Sequence, residues 1–345
     1  MTPDDLFALP VAAEPTAARR QALLDVLNGL TAHHAAACPD YAAVLAATGA
    51  SSSPAERLSD VPWLPVGLFK RRRLASVPDD QVLRVLTSSG TTGAAKSQIV
   101  LDAPTAQRQA RALAAVMGTL LGPKRLPLLV FDAPSTARGG SARSAGVLGM
   151  LPLGRRPVYA LDESLQVDDD AVDAFLDAVD GGPFLAFGFT WLVWTRLEAR
   201  RSRTGRRFDG GILVHGGGWK ALADRAVDAD TFSRVLRDEH GFTEVRSYYG
   251  MVEQVGGVHL EDADGLLRPP VFADVLVRHP RTLEVQPDGE PGLLQVFSGL
   301  PTSYPGHSLL TEDLGVLEGP GRFRVLGRLP RAEARGCSDV LAAAA

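Results

Sequence analysis

Short apolar runs, each stopping at a glycine- or proline-marked loop and separated by helical stretches, set the strongest limit on how this 345-residue chain can fold. LPLLVFDAP (126–134), PFLAFGFT (183–190), FDGGILVHGGGWK (208–220) and EVRSYYGMVEQ (244–254) each read as a buried strand running into a loop. Thr105 to Leu121, Asp168 to Val179 and Ala221 to His240 read as helices, the second with the acidic start that the helix dipole favours. From about residue 270, alternating segments such as VFADVLVRHP, GLLQVFSG and GRFRVLGRL predict antiparallel sheet. The expected class is α/β followed by a smaller β-rich part. Residues 16–48 read as helices interrupted at Pro39, 61–70 as an ordered loop, and 139–149 as a small-residue, flexible segment. The run from Arg196 to Arg207, with six arginines, reads as a solvated loop.

Composition removes several classes of function. A net charge of −4 argues against a general nucleic-acid binder. No apolar run reaches the roughly 20 residues of a membrane span, and MTPDDLFALP is acidic where a secretory signal is basic. Two cysteines, Cys38 and Cys337, exclude a disulfide framework. The expectation is a cytoplasmic enzyme with two free thiols. Cys38 lies near His33 and His34, but a closed zinc site needs four ligands, so Cys38 reads as a small buried residue. His307 reads as a loop histidine. His215 is open between a ligand contact and packing, and Trp219 between lining a site and plugging a core.

The chemistry concentrates at LTSSGTTGAAKS (86–97). Its glycines let backbone N–H groups turn toward an anion, its hydroxyls add donors, and Lys96 supplies one charge. The spacing is not that of a Walker loop, and a Ser/Thr/Gly-rich stretch is often a plain turn. Lysine is scarce: only Lys70, Lys96, Lys124 and Lys220 occur among 36 basic residues.

The order of this segment resembles the phosphate-binding motif [ST]-S-G-[ST]-T-G-x-P-K of the adenylate-forming superfamily, with Ala95 at the Pro position. The resemblance implies that Ser88, Ser89, Gly90, Thr91, Thr92, Gly93 and Lys96 surround the phosphates of ATP. RSYYGMVEQ (246–254) is similar to the family's Y-G-x-T-E. By position Tyr249 would stack on adenine and Glu253 would hold Mg²⁺, while Val252 replaces a threonine that contacts the α-phosphate. LLTEDLG (309–315) is similar to T-G-D-L, so Asp313 would accept the ribose hydroxyls. Gly327–Arg328 resembles the G-R of the interdomain hinge, and Arg328 would reach the ribose or α-phosphate.

VHGGGWK (214–220), LPVGLFK (64–70), HHAAACPDY (33–41) and RGCS (335–338) narrow the resemblance to the LuxE-type acyl-protein synthetases. That resemblance places Gly216 and Gly217 with the ATP site. It implies an adenylate-forming large domain over 1–325, α/β subdomains with a β-rich part, then a shortened hinge and tail over 326–345 in place of the mobile C-terminal domain. It further implies ATP and Mg²⁺ as cofactors, activation of a carboxylic acid as acyl-AMP with Lys96 and Glu253 as catalytic groups, and transfer to Cys337. An acyl reductase, a carrier protein or another acyl acceptor would follow. Direct transfer to coenzyme A, a carrier thiol or an amine stays open, as does a non-catalytic adenylate-binding regulator. Phe187, Phe189 and Trp191 are candidate walls for the acid.

Overall fold

A computed structural model describes residues 1–50, 53–88, 96–139, 142–219 and 226–329. In chain order its helices are α1 (Ala17–Ala37), α2 (Pro39–Thr48), α3 (Ala103–Leu121), α4 (Ala142–Met150), α5 (Asp169–Val179), α6 (Thr190–Thr204) and α7 (Ala229–Asp238). The strands are β1 (Leu64–Pro65), β2 (Arg84–Thr87), β3 (Gln98–Leu101), β4 (Leu126–Phe131), β5 (Gly154–Tyr159), β6 (Phe184–Phe189) and β7 (Gly211–Gly216), then β8 (Glu244–Tyr249), β9 (His259–Glu261), β10 (Leu267–Arg268), β11 (Ala273–Arg278), β12 (Gly292–Ser298), β13 (Ser308–Leu317) and β14 (Phe323–Arg328). The chain divides into two compact units. The first takes residues 1–116, 250–259 and 266–329 of those described; the second takes 117–249 and 260–265.

In the second unit β5, β4, β6, β7 and β8 lie side by side, all parallel. Alternation along the strands turns Phe184, Ala186, Leu213 and Val245 to one face. There they meet Val172, Phe175 and Leu176 of α5, Leu192, Val193 and Leu197 of α6, and Phe232 and Leu236 of α7, all at helical spacing. Asp168 and Asp228 cap α5 and α7 by accepting from the N–H groups of Ala171 (3.0 Å) and Thr231 (2.8 Å). The arginine-rich run is helical as far as Thr204, and only its end, Gly205 to Arg207, is loop. The helical part continues α6, and Arg200 is buried in ion pairs to Asp169 (3.1 Å) and Asp173 on α5, with its guanidinium over the Phe208 ring. Once paired and stacked, the charge can leave water. Within the small-residue segment, Ala142 onward forms α4; residues 140 and 141 lie outside the described set. The helix expected from Ala221 starts at Ala229; residues 220–225 lie outside the described set.

The first unit holds an antiparallel sheet in the order β11, β12, β13, β14, β10, with β1 added parallel to β13. β2 and β3 form a separate ribbon. α1 buries Leu23, Val26, Leu27 and Leu30, and its Arg19 donates to the carbonyls of Ala13 (2.7 Å), Pro269 (3.0 Å) and Pro270 (2.9 Å). His307 lies in the loop just before β13, as expected, but inside the protein. It is buried, stacked on His34 with ring centroids 5.1 Å apart, and hydrogen-bonded through Nε2 to the Thr31 hydroxyl at 3.0 Å. Cys38 is buried, as expected.

Burial pushes His215, His259 and His307 down from 6.5 to about 3, and takes His34 well below its ordinary value. These rings stay neutral in the folded chain, whereas the unfolded chain protonates them below about pH 6.5. Unfolding therefore takes up protons in acid, and stability falls as pH drops from about 6.5, by up to about 1.4 kcal/mol per pH unit for each ring. Urea midpoints should be level between pH 7 and 8 and clearly lower at pH 5; equal midpoints at pH 5 and pH 7.5 would refute this.

Candidate active site

In the first unit, the ribbon of β2 and β3 closes the segment that carries the glycine turn. The Ser88 N–H donates to the Ser97 carbonyl (3.3 Å), and the Ser88 hydroxyl accepts from the Ser97 N–H (3.0 Å). Both ends of the turn are thereby pinned, and Lys96, next to Ser97, is exposed. Ser89, Gly90, Thr91, Thr92 and Gly93 lie outside the described residues, as do Lys220 and Cys337.

The register of β13 against β14 sets Asp313 opposite Arg328, with Nε and Oδ1 3.1 Å apart. The Asp313 side chain is 15% exposed and the Arg328 side chain 68%. The carboxylate expected to accept ribose hydroxyls thus already holds a guanidinium whose outer edge faces water. A nucleotide approaching it would meet an oriented donor–acceptor pair.

Glu253 is 7% exposed and, among the described residues, has neither an ion pair nor a hydrogen bond. With no protein donor on it and its oxygens not sealed from solvent, the carboxylate is open to an incoming group that brings positive charge. A hard carboxylate oxygen is the donor Mg²⁺ prefers. The residue type and its unsatisfied state therefore fit the cation that the family resemblance implies.

The loop after Glu253 is strapped within the same unit. Gln254 Nε2 donates to the carbonyls of Val296 (2.9 Å) and Gly306 (3.1 Å). The Val255 N–H donates to Tyr304 Oη (2.8 Å), and the Val255 carbonyl accepts from Ser298 Oγ (2.6 Å).

The second unit presents the carboxyl ends of its parallel strands, the edge where open α/β sheets bind ligands. Gly216 ends β7 and Gly217 follows with φ 76°. A Cβ on Gly216 would stand 2.4 Å from Tyr248 Cε1, so only glycine lets that ring lie against the strand. Tyr249, half-buried, ends β8. His215 packs on Phe232 with centroids 4.4 Å apart. The Thr190 hydroxyl bridges His215 Nδ1 (3.0 Å) and the Gly216 carbonyl (3.3 Å). At the end of β4, buried Asp132 accepts from Arg143 Nε (2.7 Å) and NH2 (2.6 Å) and from the Thr136 hydroxyl (2.5 Å). Of the expected acid walls, Phe187 is wholly buried, beside Tyr248, whereas Phe189 and Trp191 are half-buried. Trp219 packs edge-on to Trp194 against the core, so it acts as a plug.

Sequence reasoning missed Tyr248, Thr190, Asp132 with Arg143, and the Gln254–Tyr304–Ser298 set. Each is one partner of a contact made across strands or loops, which no local spacing reveals. Among the described residues no helix is long and apolar enough to cross a membrane, and no cluster of three metal-ligating side chains occurs.

The family described as "Acyl-protein synthetase, LuxE" matches residues 17–345. A long-chain-fatty-acid–luciferin-component ligase of Vibrio harveyi is 26% identical over 311 residues, which is 82% of this chain and 78% of the relative. The ligase of the same name from Aliivibrio fischeri is 24% identical over 288 residues, 76% of this chain and 70% of its own. Among solved structures, a 2-hydroxyisobutyryl-CoA ligase in complex with 2-HIB-AMP and CoA superimposes with TM-score 0.73 at 18% identity, covering 92% of this chain and 76% of that one. The amide bond synthetase McbA of Marinactinospora thermotolerans gives 0.52 at 18%, covering 73% and 50%. The fold is that of these adenylate-forming ligases.

Gly216→Ala should cost about 1–3 kcal/mol, the scale of forcing one methyl into a packed contact. Adding Tyr248→Ala should make the double variant less destabilised than the sum of the two single variants. Strict additivity in denaturant unfolding would show that the ring and the glycine do not share this contact.

Proposed function

The chain belongs to the LuxE acyl-protein synthetase family, and from that premise we propose that it activates a carboxylic acid with ATP and passes the acyl group to a thiol. The observation that carries the reading is the family match, which runs from residue 17 to residue 345. In the first step a carboxylate oxygen attacks the α-phosphorus, the bond to pyrophosphate breaks, and acyl-AMP forms. In the second a thiolate attacks the acyl carbon, AMP leaves, and a thioester remains.

The chain's own part in the first step is positioning and charge neutralisation. Lys96 would set its ammonium on the triphosphate. Asp313 would take the ribose hydroxyls, with Arg328 turned to the ribose or α-phosphate. Tyr249 would cover the adenine, beside Gly216 and Gly217. Glu253 would hold Mg²⁺, which when bound offsets negative charge on the phosphates. Val252 supplies no hydroxyl where the family has threonine, so the α-phosphate depends more on Lys96 and Arg328. Ser89, Gly90, Thr91, Thr92 and Gly93 would supply N–H and hydroxyl donors, with Ser88 at the turn's pinned end.

Cys337 is our candidate for the thiol. Arg331 and Arg335 stand within six residues of it in sequence, and positive neighbours favour the thiolate. The acceptor after Cys337 would be a partner protein such as an acyl reductase or an acyl carrier. Curated relatives carry the name of long-chain fatty acid ligases, so fatty acids head the list of acids to try.

Two measurements test the reading. Acid-dependent exchange of labelled pyrophosphate into ATP should fall about 10²-fold or more in Lys96→Ala, the scale of removing a main electrostatic stabiliser; undiminished exchange in the folded variant would end the assignment. With ATP and the acid, the intact mass should rise by one acyl group and return on hydroxylamine treatment. Cys337→Ser should keep exchange and lose that label, whereas Cys38→Ser should keep both. Wild-type delivery to an acceptor by Cys337→Ser would show that the acceptor attacks acyl-AMP directly.

A further inference from the structure

Glu253 is held still by residues to which nothing above gives a role in the reaction. It makes no hydrogen bond of its own among the described residues, yet the two residues after it are fixed at four points. Val255 has both backbone polar groups occupied, its N–H by Tyr304 Oη (2.8 Å) and its carbonyl by Ser298 Oγ (2.6 Å). Gln254, itself buried, uses its side-chain amide to tie two separate carbonyls, Val296 on β12 and Gly306 just before β13. Tyr304 is wholly buried, and Phe69 meets its ring edge-on at 5.9 Å and 80°. Phe69 belongs to LPVGLFK, a motif without a role so far, here a short 3₁₀ turn after β1. The neighbouring Ser303 carbonyl takes the Ser76 N–H at 2.8 Å, so the loop that carries Tyr304 is anchored in turn.

We propose that Tyr304, backed by Phe69 and assisted by Gln254 and Ser298, is a positioning residue that sets Glu253 for its cation. The proposal rests on the reading of Glu253 as a Mg²⁺ ligand. A carboxylate on a free loop loses conformational entropy when it captures an ion. One whose backbone is already fixed loses less, and the difference appears as affinity. Partners behind a metal ligand commonly change affinity about 10–100-fold when removed. The arrangement also gives LPVGLFK a function without contact to any substrate: its phenylalanine seats the ring that holds the loop.

The test is Mn²⁺ binding, followed by water-proton relaxation in the presence of the non-cleavable α,β-methylene analogue of ATP, on the full chain. Tyr304→Phe keeps the ring against Phe69 and removes only the acceptor for the Val255 N–H. Its Mn²⁺ dissociation constant should rise about 10-fold, while the metal-free affinity for the analogue, measured in EDTA, stays within about twofold of wild type. Gln254→Met, which keeps the length and removes both amide bonds, should behave alike and serves if Tyr304→Phe does not fold. Glu253→Gln should lose the Mn²⁺ site. Loss in Glu253→Gln with wild-type affinity in the other two variants overturns the brace and leaves the ligand assignment standing. Wild-type Mn²⁺ affinity in Glu253→Gln overturns the assignment, and the brace with it. A drop in analogue affinity in EDTA that matches the Mn²⁺ effect also overturns the brace, because the loop would then support the whole nucleotide and not the cation.

Discussion

Glu253 carries its charge in a place where, among the described residues, no arginine, lysine or hydrogen-bond donor answers it. A carboxylate that no protein group holds keeps one orientation only if the surrounding structure fixes the backbone that carries it. The first unit does so. The end of β12 supplies Val296 and Ser298, the segment entering β13 supplies Tyr304 and Gly306, and all four bond to the two residues after Glu253. The antiparallel sheet is therefore more than a hydrophobic support. Its strand ends are the frame on which one unsatisfied charge is mounted.

Two other carboxylates, one in each unit, are treated in the opposite way. Asp313 is paired with Arg328, and Asp132 with Arg143, through strand register in one case and a helix placed after a strand in the other. A paired carboxylate keeps its orientation at low cost and offers its remaining lone pairs to neutral donors such as hydroxyls. It is a poor cation ligand, because an arginine already balances it. The division of labour that family resemblance assigns, Asp313 for a sugar and Glu253 for a metal ion, thus coincides with which carboxylate has a partner. His215 follows the same logic in the second unit. Thr190 holds its ring through Nδ1 and burial keeps it neutral, so it can hydrogen-bond but cannot contribute charge.

Strand positions were legible because they depend on local alternation: β4, β6, β7 and β8 fall where the apolar runs do. So did the antiparallel change after residue 270. The misreadings share a cause. Arg200 looked solvated because its partners, Asp169 and Asp173, lie about 30 residues away on another helix. The helix from Ala142 is hidden in the sequence because its residues are small, though alanine and serine sit well enough in α4 once the helix has something to pack on. His307 is the loop residue it reads as, but nothing in SYPGHS announces its burial against Thr31, His34 and Tyr41. For the candidate site, motif order nominates Ser88, Lys96, Tyr249, Glu253, Asp313 and Arg328, and it does not say which of the acids are paired.

That last point bears on why the loop after Glu253 matters. A motif such as Y-G-x-x-E specifies one side chain and leaves its stiffness unspecified. Stiffness comes from Gln254 and Tyr304, one adjacent in sequence and one 51 residues later, and from a phenylalanine near the start of the chain. Substituting any of them leaves the motif intact to the eye while loosening what it presents. A sequence with all the family's acids and bases in order could therefore still bind its cation poorly, and the difference would lie in hydrogen bonds to Val255 rather than in any residue that touches the ion.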